Sequence, residues 1–467
     1  MITVRFAPSP TGKLHFGSLR TAIFNYLFTK KNQGKLILRI EDTDNSRVKK
    51  EYIDVILEFF EYLNINFDQI YFQSSRFDIY KQYLIKLWEE NKIYPCFCSQ
   101  EKLKKEREEA LKKGISYKYP GYCRNIPKEE AIKRINNGEP HIFRFKLSEN
   151  REDIEFNDLV YGRINFSIEE LDDFALTRSD GSFLYNFTAV IDDHLMGITH
   201  IIRGEDHISN TPKQILLYEA FGWEYPTFVH IPMILNSEKK KLSKRDPKFA
   251  IEDDFRKKYI PEAVINFVSL MGWAPKGNKG GDGFFTIEQL IREFDIDGIK
   301  RKPVIFDRNK LNYLNKKHIR NLDSNKIFYY IEREFKEHIS DIERNKILTL
   351  IELLKVRVSY LYDFVEHFGY LRADFIVDER YESILPEDIL EDYKNLLKTI
   401  SEDEFKDDKF LEKLTRNFVN NIGIKLKDLA KDLRLILTRK ETTPPIFSLM
   451  SLIGKHEIIR RLEYYLK

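Results

Sequence analysis

Ile2, Val4 and Phe6 alternate with polar neighbours, the two-residue period of a strand. Pro8, Pro10 and Gly12 then punctuate a loop. Leu19, Ile23, Tyr26 and Leu27 recur at helical spacing, and Lys35 to Ile40 is a second apolar strand running into Glu41-Asp42-Thr43-Asp44. Strand, loop, helix and strand make a βαβ unit, which predicts a parallel sheet. Residues 75–185 read as an insertion, with a charged helix from Glu101 to Lys113 and a strand from His141 to Lys146. Strand and helix resume from Tyr185: Leu195 to Arg203 reads as strand and Thr211 to Phe221 as helix. Pro275 to Gly283 reads as a loop. Beyond residue 310, glycine is scarce and apolar residues repeat at helical spacing, as in Ile347, Leu350, Ile351 and Leu354, so the remainder reads as an all-helical module.

A chain of 467 residues suits two to four domains, at roughly 100–200 residues each. Its 77 basic and 74 acidic residues nearly balance, which excludes a polybasic binder but not a local basic face on a neutral body. No uncharged run reaches the roughly 18 residues of a membrane span. The N-terminus lacks a signal-peptide pattern, so a cytoplasmic monomer without a membrane partner is expected. Three cysteines, Cys96, Cys98 and Cys123, are an odd number clustered in the insertion, which is not a disulfide framework.

Candidate chemistry begins at His15-Phe16-Gly17, where the first helix starts. A helix N-terminus offers free N–H groups and a positive dipole end, which suit phosphate, and Gly17 permits close approach. Taken alone, this is a turn with an incidental histidine. Its surroundings give it weight. Arg5-Phe6-Ala7-Pro8-Ser9-Pro10-Thr11-Gly12-Lys13-Leu14-His15-Phe16-Gly17 resembles the first signature of bacterial glutamyl-tRNA synthetases. Leu38 to Asp44, Leu176 to Gly181 and Arg203-Gly204-Glu205-Asp206-His207 resemble further blocks, and Lys241-Leu242-Ser243-Lys244-Arg245 resembles the lysine loop of class I synthetases.

The resemblance implies a Rossmann-like α/β catalytic region over residues 1–310. It would carry an inserted acceptor-binding domain at 75–185 and a stem-contact segment at 246–310, followed by an all-α anticodon-binding domain at 311–467. It implies ATP-dependent ligation of L-glutamate to tRNA through a glutamyl-adenylate, with magnesium arriving on the ATP. Glutamate would be held by Arg5, Ala7, Ser9, Glu41, Tyr185 and Arg203. ATP would be held by His15, Gly17, Asp206, His207 and Lys244, with His15, Lys241 and Lys244 as catalytic groups. Arginine can grip a carboxylate in a fork, and lysines can neutralise charge on the phosphates. Many relatives bind structural zinc at this cysteine spacing; Tyr119 matches a tyrosine ligand, while Asn125 stands where some carry histidine. Asp44, Arg47 and Arg357 fall where tRNA is contacted. The basic run Lys300, Arg301, Lys302, Arg308, Lys310, Lys316 and Lys317, interleaved with Phe306 and Tyr313, suits phosphate positioning.

Some positions depart from the pattern. Asp246-Pro247 follow the lysine loop where many relatives have His-Gly, and Ala189 stands where some carry asparagine near the glutamate. The alternative is a non-catalytic tRNA-binding paralogue, which would be expected to lack His15, Lys244 or Arg203. A glutaminyl relative would carry a β-barrel anticodon domain. A queuosine-glutamylating relative would end near the catalytic domain. A nucleotidyltransferase sharing the histidine signature would lack the set Arg5, Glu41 and Arg203. The residues leave open whether tRNA for glutamine is charged as well as tRNA for glutamate.

Overall fold

Two short strands, β1 (Thr3–Phe6) and β2 (Lys35–Ile40), are buried almost throughout and pair in parallel, with Arg5 opposite Ile37. Helix α1 (Phe16–Lys31) connects them, and its burial extends around most of its circumference. The structure, a computed structural model, describes every residue except 13, 44–48, 149–150, 237, 241–250, 252–253, 278–280, 373–374 and 376–382. It divides into two units. One comprises Met1–Glu252 with Ile265–Arg308, the other Asp253–Val264 with Asn309–Lys467.

In the first unit α2 (Lys50–Tyr62) leads to β3 (Gln69–Phe72), which extends the sheet in parallel beside β2. After α3 (Phe77–Glu89), β4 (Ile93–Cys96) and β5 (Ile142–Phe145) form an antiparallel pair that flanks α4 (Gln100–Lys112) and α5 (Lys128–Asn136). The hairpin β6 (Ile154–Asp158) and β7 (Gly162–Phe166) falls within the expected insertion, yet it joins a four-stranded sheet with strands that follow the insertion. There it lies beside β9 (Thr227–Ile231), with Asp158 parallel to Phe228, and β9 pairs in parallel with β8 (His200–Gly204). The Thr199 N–H donates to the Thr3 carbonyl at 2.9 Å and the Thr3 N–H to Thr199 Oγ1 at 3.0 Å, which sets β8 against β1.

The strand expected over Leu195–Arg203 starts five residues late. α6 (Tyr185–Leu195) occupies its beginning, and Gly197 turns the chain at φ 64° before β8 starts. α7 (Thr211–Phe221) falls where the periodicity placed it. A two-residue parallel pair, β10 (Ile234–Leu235) with β11 (Val304–Ile305), carries Phe306 under α1, where its ring lies 4.6 Å from that of Phe16. Phe306 is therefore core, and of the aromatics in the basic run Tyr313 is the exposed one.

The second unit is helical, from Arg308–Asn321 to Lys455–Tyr465, around one continuous apolar core. Residues 254–264 are built into it. Asn315 accepts the Ile260 N–H at 3.0 Å and donates to the Lys258 and Ser359 carbonyls, while Tyr330 donates to Glu262 at 2.9 Å. No helix among the described residues is long and apolar enough to cross a membrane.

Candidate active site

Parallel strands direct their C-terminal ends to one edge of a sheet, the usual place for a ligand in an open α/β fold. Here the ends of β1, β8 and β9, the residue after β2 and the start of α1 enclose a cavity of about 300 Å³. Arg5, Ala7, Ser9, His15, Gly17, Glu41, Tyr185, Arg203, Asp206 and His207 all line it. Residues separated by some 200 positions in the chain are thus brought together. Lys241, Lys244, Asp44 and Arg47 lie outside the described residues. Ala189 is buried in α6 and is not among the lining residues.

One wall is an ionic network. Asp193 Oδ1 accepts from Arg5 Nε at 2.9 Å and from Arg39 Nη1 at 2.6 Å, and Arg39 Nη2 reaches Glu41 at 3.3 Å. Behind it Asp192 accepts from Gln73 at 2.8 Å, Arg76 at 2.7 Å and Tyr80 at 2.8 Å. Burial pushes the Asp193 carboxyl up, but Arg39 and Arg5 outweigh it and hold the group below the ordinary carboxylate range. For Glu41 burial wins over the same two arginines, and its pKa is raised. Arg5 and Glu41 thus reach the cavity on supports that fix their direction.

The lining also presents a cation whose hydrogen-bond partners, among the described residues, are all neutral. Arg203 Nε donates to His230 Nε2 at 3.0 Å, Nη1 to Gln214 at 2.8 Å and to Tyr185 at 3.4 Å, and Nη2 to Thr211 at 2.8 Å. A guanidinium has five N–H groups, so among the described residues one Nη2 N–H is left over and the Tyr185 bond is long. Burial lowers the Arg203 pKa, with Tyr185 opposing. His207, beside it, is drawn down to about 4 by burial and then by Arg203, so it is neutral at physiological pH.

At the mouth, His15 is the N-cap of α1. Its Nδ1 accepts the N–H groups of Gly17 at 3.1 Å and Ser18 at 3.3 Å, which leaves the proton on Nε2, 3.0 Å from Ser18 Oγ. The ring lies over Gly17: a Cβ there would stand 2.9 Å from both Nδ1 and Cε1, so the glycine two residues after the histidine is a steric requirement.

A profile for the catalytic domain of class I tRNA synthetases (E and Q) matches residues 1–313, and one for an anticodon-binding domain matches 329–466. The chain belongs to the class I tRNA synthetases of the E and Q type. It is 40% identical to the glutamate–tRNA ligase of Aquifex aeolicus, over 99% of this chain and 98% of that one. It is 38% identical to the ligase of Alkaliphilus metalliredigens at the same coverage. A crystal structure of a glutamate tRNA ligase from Elizabethkingia meningosepticum in complex with its amino acid superposes with a TM-score of 0.83. That match is at 30% identity and covers 100% of this chain and 99% of that one.

Elsewhere in this synthetase the three cysteines converge, their sulfurs within 4.8 Å of one another. Tetrahedral zinc with Zn–S bonds of about 2.3 Å sets thiolates about 3.8 Å apart, and a phenolate oxygen about 3.5 Å from each sulfur. Cys98 and Cys123 sulfurs are 3.8 Å apart, and Tyr119 Oη is 3.2 Å from Cys96 Sγ and 3.6 Å from Cys98 Sγ. The three sulfurs are compatible with zinc, and the Tyr119 hydroxyl lies at distances that suit a fourth donor. The Arg144 guanidinium, 3.8 Å from the Tyr119 ring centroid, supplies positive charge beside these donors.

In the helical unit Arg357 is exposed and donates to the Thr443 carbonyl at 3.2 Å. It lines a cavity of about 480 Å³ with His367 and Lys440. Lys300, Arg301, Lys302 and Lys316 are exposed; Arg308, Lys310 and Lys317 are half-buried. Sequence reasoning missed Arg20 and Glu205, which also line the active-site cavity. Arg20 donates to the Met271 carbonyl at 3.2 Å and to that of Pro232, and burial draws its pKa down to about 10. As an arginine on a buried helix face it carried no signal. The supports Asp193, Asp158 and His230 were missed as well.

Proposed function

We propose that the chain activates L-glutamate with ATP and transfers the glutamyl group to tRNA, releasing pyrophosphate and then AMP. The observation that carries this reading is Arg203, a buried cation held, among the described residues, by neutral partners and lining a cavity that Arg5 and Glu41 also line. An unneutralised guanidinium favours a carboxylate ligand, and Glu41 offers a charge to the ammonium group. Ser9 and Tyr185 add neutral hydrogen bonds. His15, Gly17, Asp206 and His207 would border the ATP, with the positive dipole end of α1 toward its phosphates. A glutamate carboxylate oxygen attacks the α-phosphorus, the bond to pyrophosphate breaks, and charge grows on the phosphate oxygens. His15, Lys241 and Lys244 would stabilise that charge.

Magnesium would enter as the counter-ion of ATP. Zinc on Cys96, Cys98, Cys123 and Tyr119 would brace the insertion structurally, outside the reaction. Asp44 and Arg47 would meet the 3′ end of the tRNA, and Arg357 an anticodon base. The protein would act as a cytoplasmic monomer on tRNA for glutamate.

The test is charging of purified tRNA for glutamate and tRNA for glutamine, each with radiolabelled glutamate and glutamine, and with tRNA present during activation. Glutamyl-tRNA is the expected product. Transfer of glutamine instead, or of no amino acid to either tRNA, would refute the reading. Product on tRNA for glutamine would widen the substrate range. Lys244→Ala should lower ATP–pyrophosphate exchange by orders of magnitude while tRNA binding is retained, and full exchange would remove Lys244 from the mechanism.

A further inference from the structure

We propose that Asp158 and His230 form a tautomer-fixing relay that aims Arg203 at the substrate carboxylate, with His230 as a positioning residue and not a catalytic one. The parallel register of β6 with β9 sets Asp158 opposite Phe228, two residues before His230. Both side chains are fully buried. Asp158 Oδ1 accepts the N–H groups of Val160 at 2.9 Å and Tyr161 at 2.8 Å. Its Oδ2 accepts the backbone N–H of His230 at 2.9 Å and lies 2.7 Å from His230 Nδ1. An ionised carboxylate only accepts, so Nδ1 carries the imidazole proton. Nε2 then presents a lone pair, and the Nε–H of Arg203 donates to it at 3.0 Å. Thr211 Oγ1, 3.3 Å from the same nitrogen, takes an Arg203 Nη2 N–H at 2.8 Å, which fixes the plane of the guanidinium from a second side.

The choice of imidazole matters for the chemistry. Arg5 is oriented by a carboxylate, Asp193, which neutralises it. A carboxylate in the place of His230 would neutralise Arg203 too, and would compete with the substrate. A neutral imidazole orients the arginine and leaves its charge for the ligand. Burial keeps His230 neutral. Its pKa is lowered despite Asp158, and Arg203 and Arg5 act in the same direction as burial. Two donors facing each other would result from the other tautomer, and two cations from the protonated ring, so the relay admits one protonation state.

The inference rests on the proposed glutamate site, and two variants separate positioning from mere packing. An asparagine amide reaches as far as Nδ1 and can keep the Asp158 bond, but it leaves Arg203 Nε without an acceptor. A glutamine carbonyl reaches where Nε2 stands and restores that acceptor. In tRNA charging, His230→Asn should raise KM for glutamate about tenfold to hundredfold, the scale of a lost hydrogen bond to a charged group. KM for ATP should stay within about twofold, and His230→Gln should recover most of the loss. Equal effects of the two variants, no effect of His230→Asn, or a parallel rise in KM for ATP would overturn the relay.

A second readout needs neither variant to be active. In the 15N-histidine-labelled wild-type enzyme, with the His230 signals identified by their absence in His230→Gln, the proton should sit on Nδ1. A proton on Nε2 would overturn the relay even if neither variant were active. Failure of the wild-type enzyme to charge glutamate would refute the proposed function and leave the tautomer result standing.

Discussion

Asp193→Asn removes one charge from a site where two buried arginines share a single carboxylate oxygen. Arg5 Nε is 2.9 Å from it with both side chains 3% exposed, and Arg39 Nη1 is 2.6 Å from it with Arg39 fully buried. At an effective dielectric constant near 20, charges about 4 Å apart interact by about 4 kcal/mol, so two pairs are worth about 8 kcal/mol gross. The asparagine oxygen can still accept a hydrogen bond, and Arg39 retains Glu41 at 3.3 Å and Asp192 at 3.9 Å. The net loss should therefore fall in the range of about 3–5 kcal/mol for a broken buried pair. Arg5 carries most of it, because among the described residues Asp193 is its ion-pair partner.

The exposed pair Lys92–Glu90 serves as the control. At 2.8 Å it is as short, but its side chains are 40% and 38% exposed, so Glu90→Gln should cost less than about 1 kcal/mol. Urea unfolding followed by tryptophan fluorescence reports the right unit, since Trp88, Trp223 and Trp273 all lie in the first. The variant should also raise KM for glutamate. Because the folded Asp193 pKa is below its unfolded value, its stabilisation is complete above about pH 3.9 and is lost as pH falls through the folded value. The variant should lack that part of the acid transition. A loss under about 1 kcal/mol, or one equal to that of Glu90→Gln, would refute the assignment of burial as the deciding factor.

Gly17→Ala places a Cβ against the His15 ring, so the ring must leave the end of α1. The lost cap should cost only about 1 kcal/mol in unfolding experiments, while ATP–pyrophosphate exchange should fall at least about a hundredfold. Purified protein should contain one zinc per chain, and X-ray absorption should resolve three sulfurs at about 2.3 Å and one lighter ligand. Tyr119→Phe should replace that ligand or weaken binding, and absence of stoichiometric metal would reject the site. In the helical unit, burial, then Lys317 and Lys326, draw His318 down to about 4. The unfolded chain takes up this proton first, near pH 6.5, so the stabilisation is present above that pH and about 3 kcal/mol is lost by pH 4. Circular dichroism melts of wild type and His318→Gln at pH 7 and 4.5 should differ in their pH sensitivity, the variant being the flatter.

Much of the site was readable because its ligand-facing groups sit at places that local sequence marks. Arg5 and Arg203 sit one residue from the ends of strands, Glu41 directly follows one, and His15 caps a helix between loop and strand signals. The helix Thr211–Phe221 is legible although it is buried almost all round, because Pro212 near its start and Gly222 just beyond it mark its ends. The strand near residue 200 was read five residues early because Leu195 to Ile202 is apolar in either state. What decides is Gly197 at positive φ and the pairing of Thr199 with Thr3, 196 residues away. The burial of Phe306 was not legible, because a phenylalanine within a basic run has no local mark of it; its position is set by Phe16 and Phe267.

The supports were not readable, and the reason is physical. An acid near the end of a helix, such as Asp193, has the same local signature whether it faces water or two arginines. Asp158 and His230 are 72 residues apart, and only the parallel register of β6 and β9 joins them. Yet these residues set the charge of each wall: Asp193 neutralises Arg5, whereas His230 orients Arg203 without neutralising it. Replacing either arginine's partner with the other's type would preserve a hydrogen bond and change the electrostatics. The motif residues therefore define which groups can meet the substrate, and the long-range partners define how much charge those groups have left to offer it.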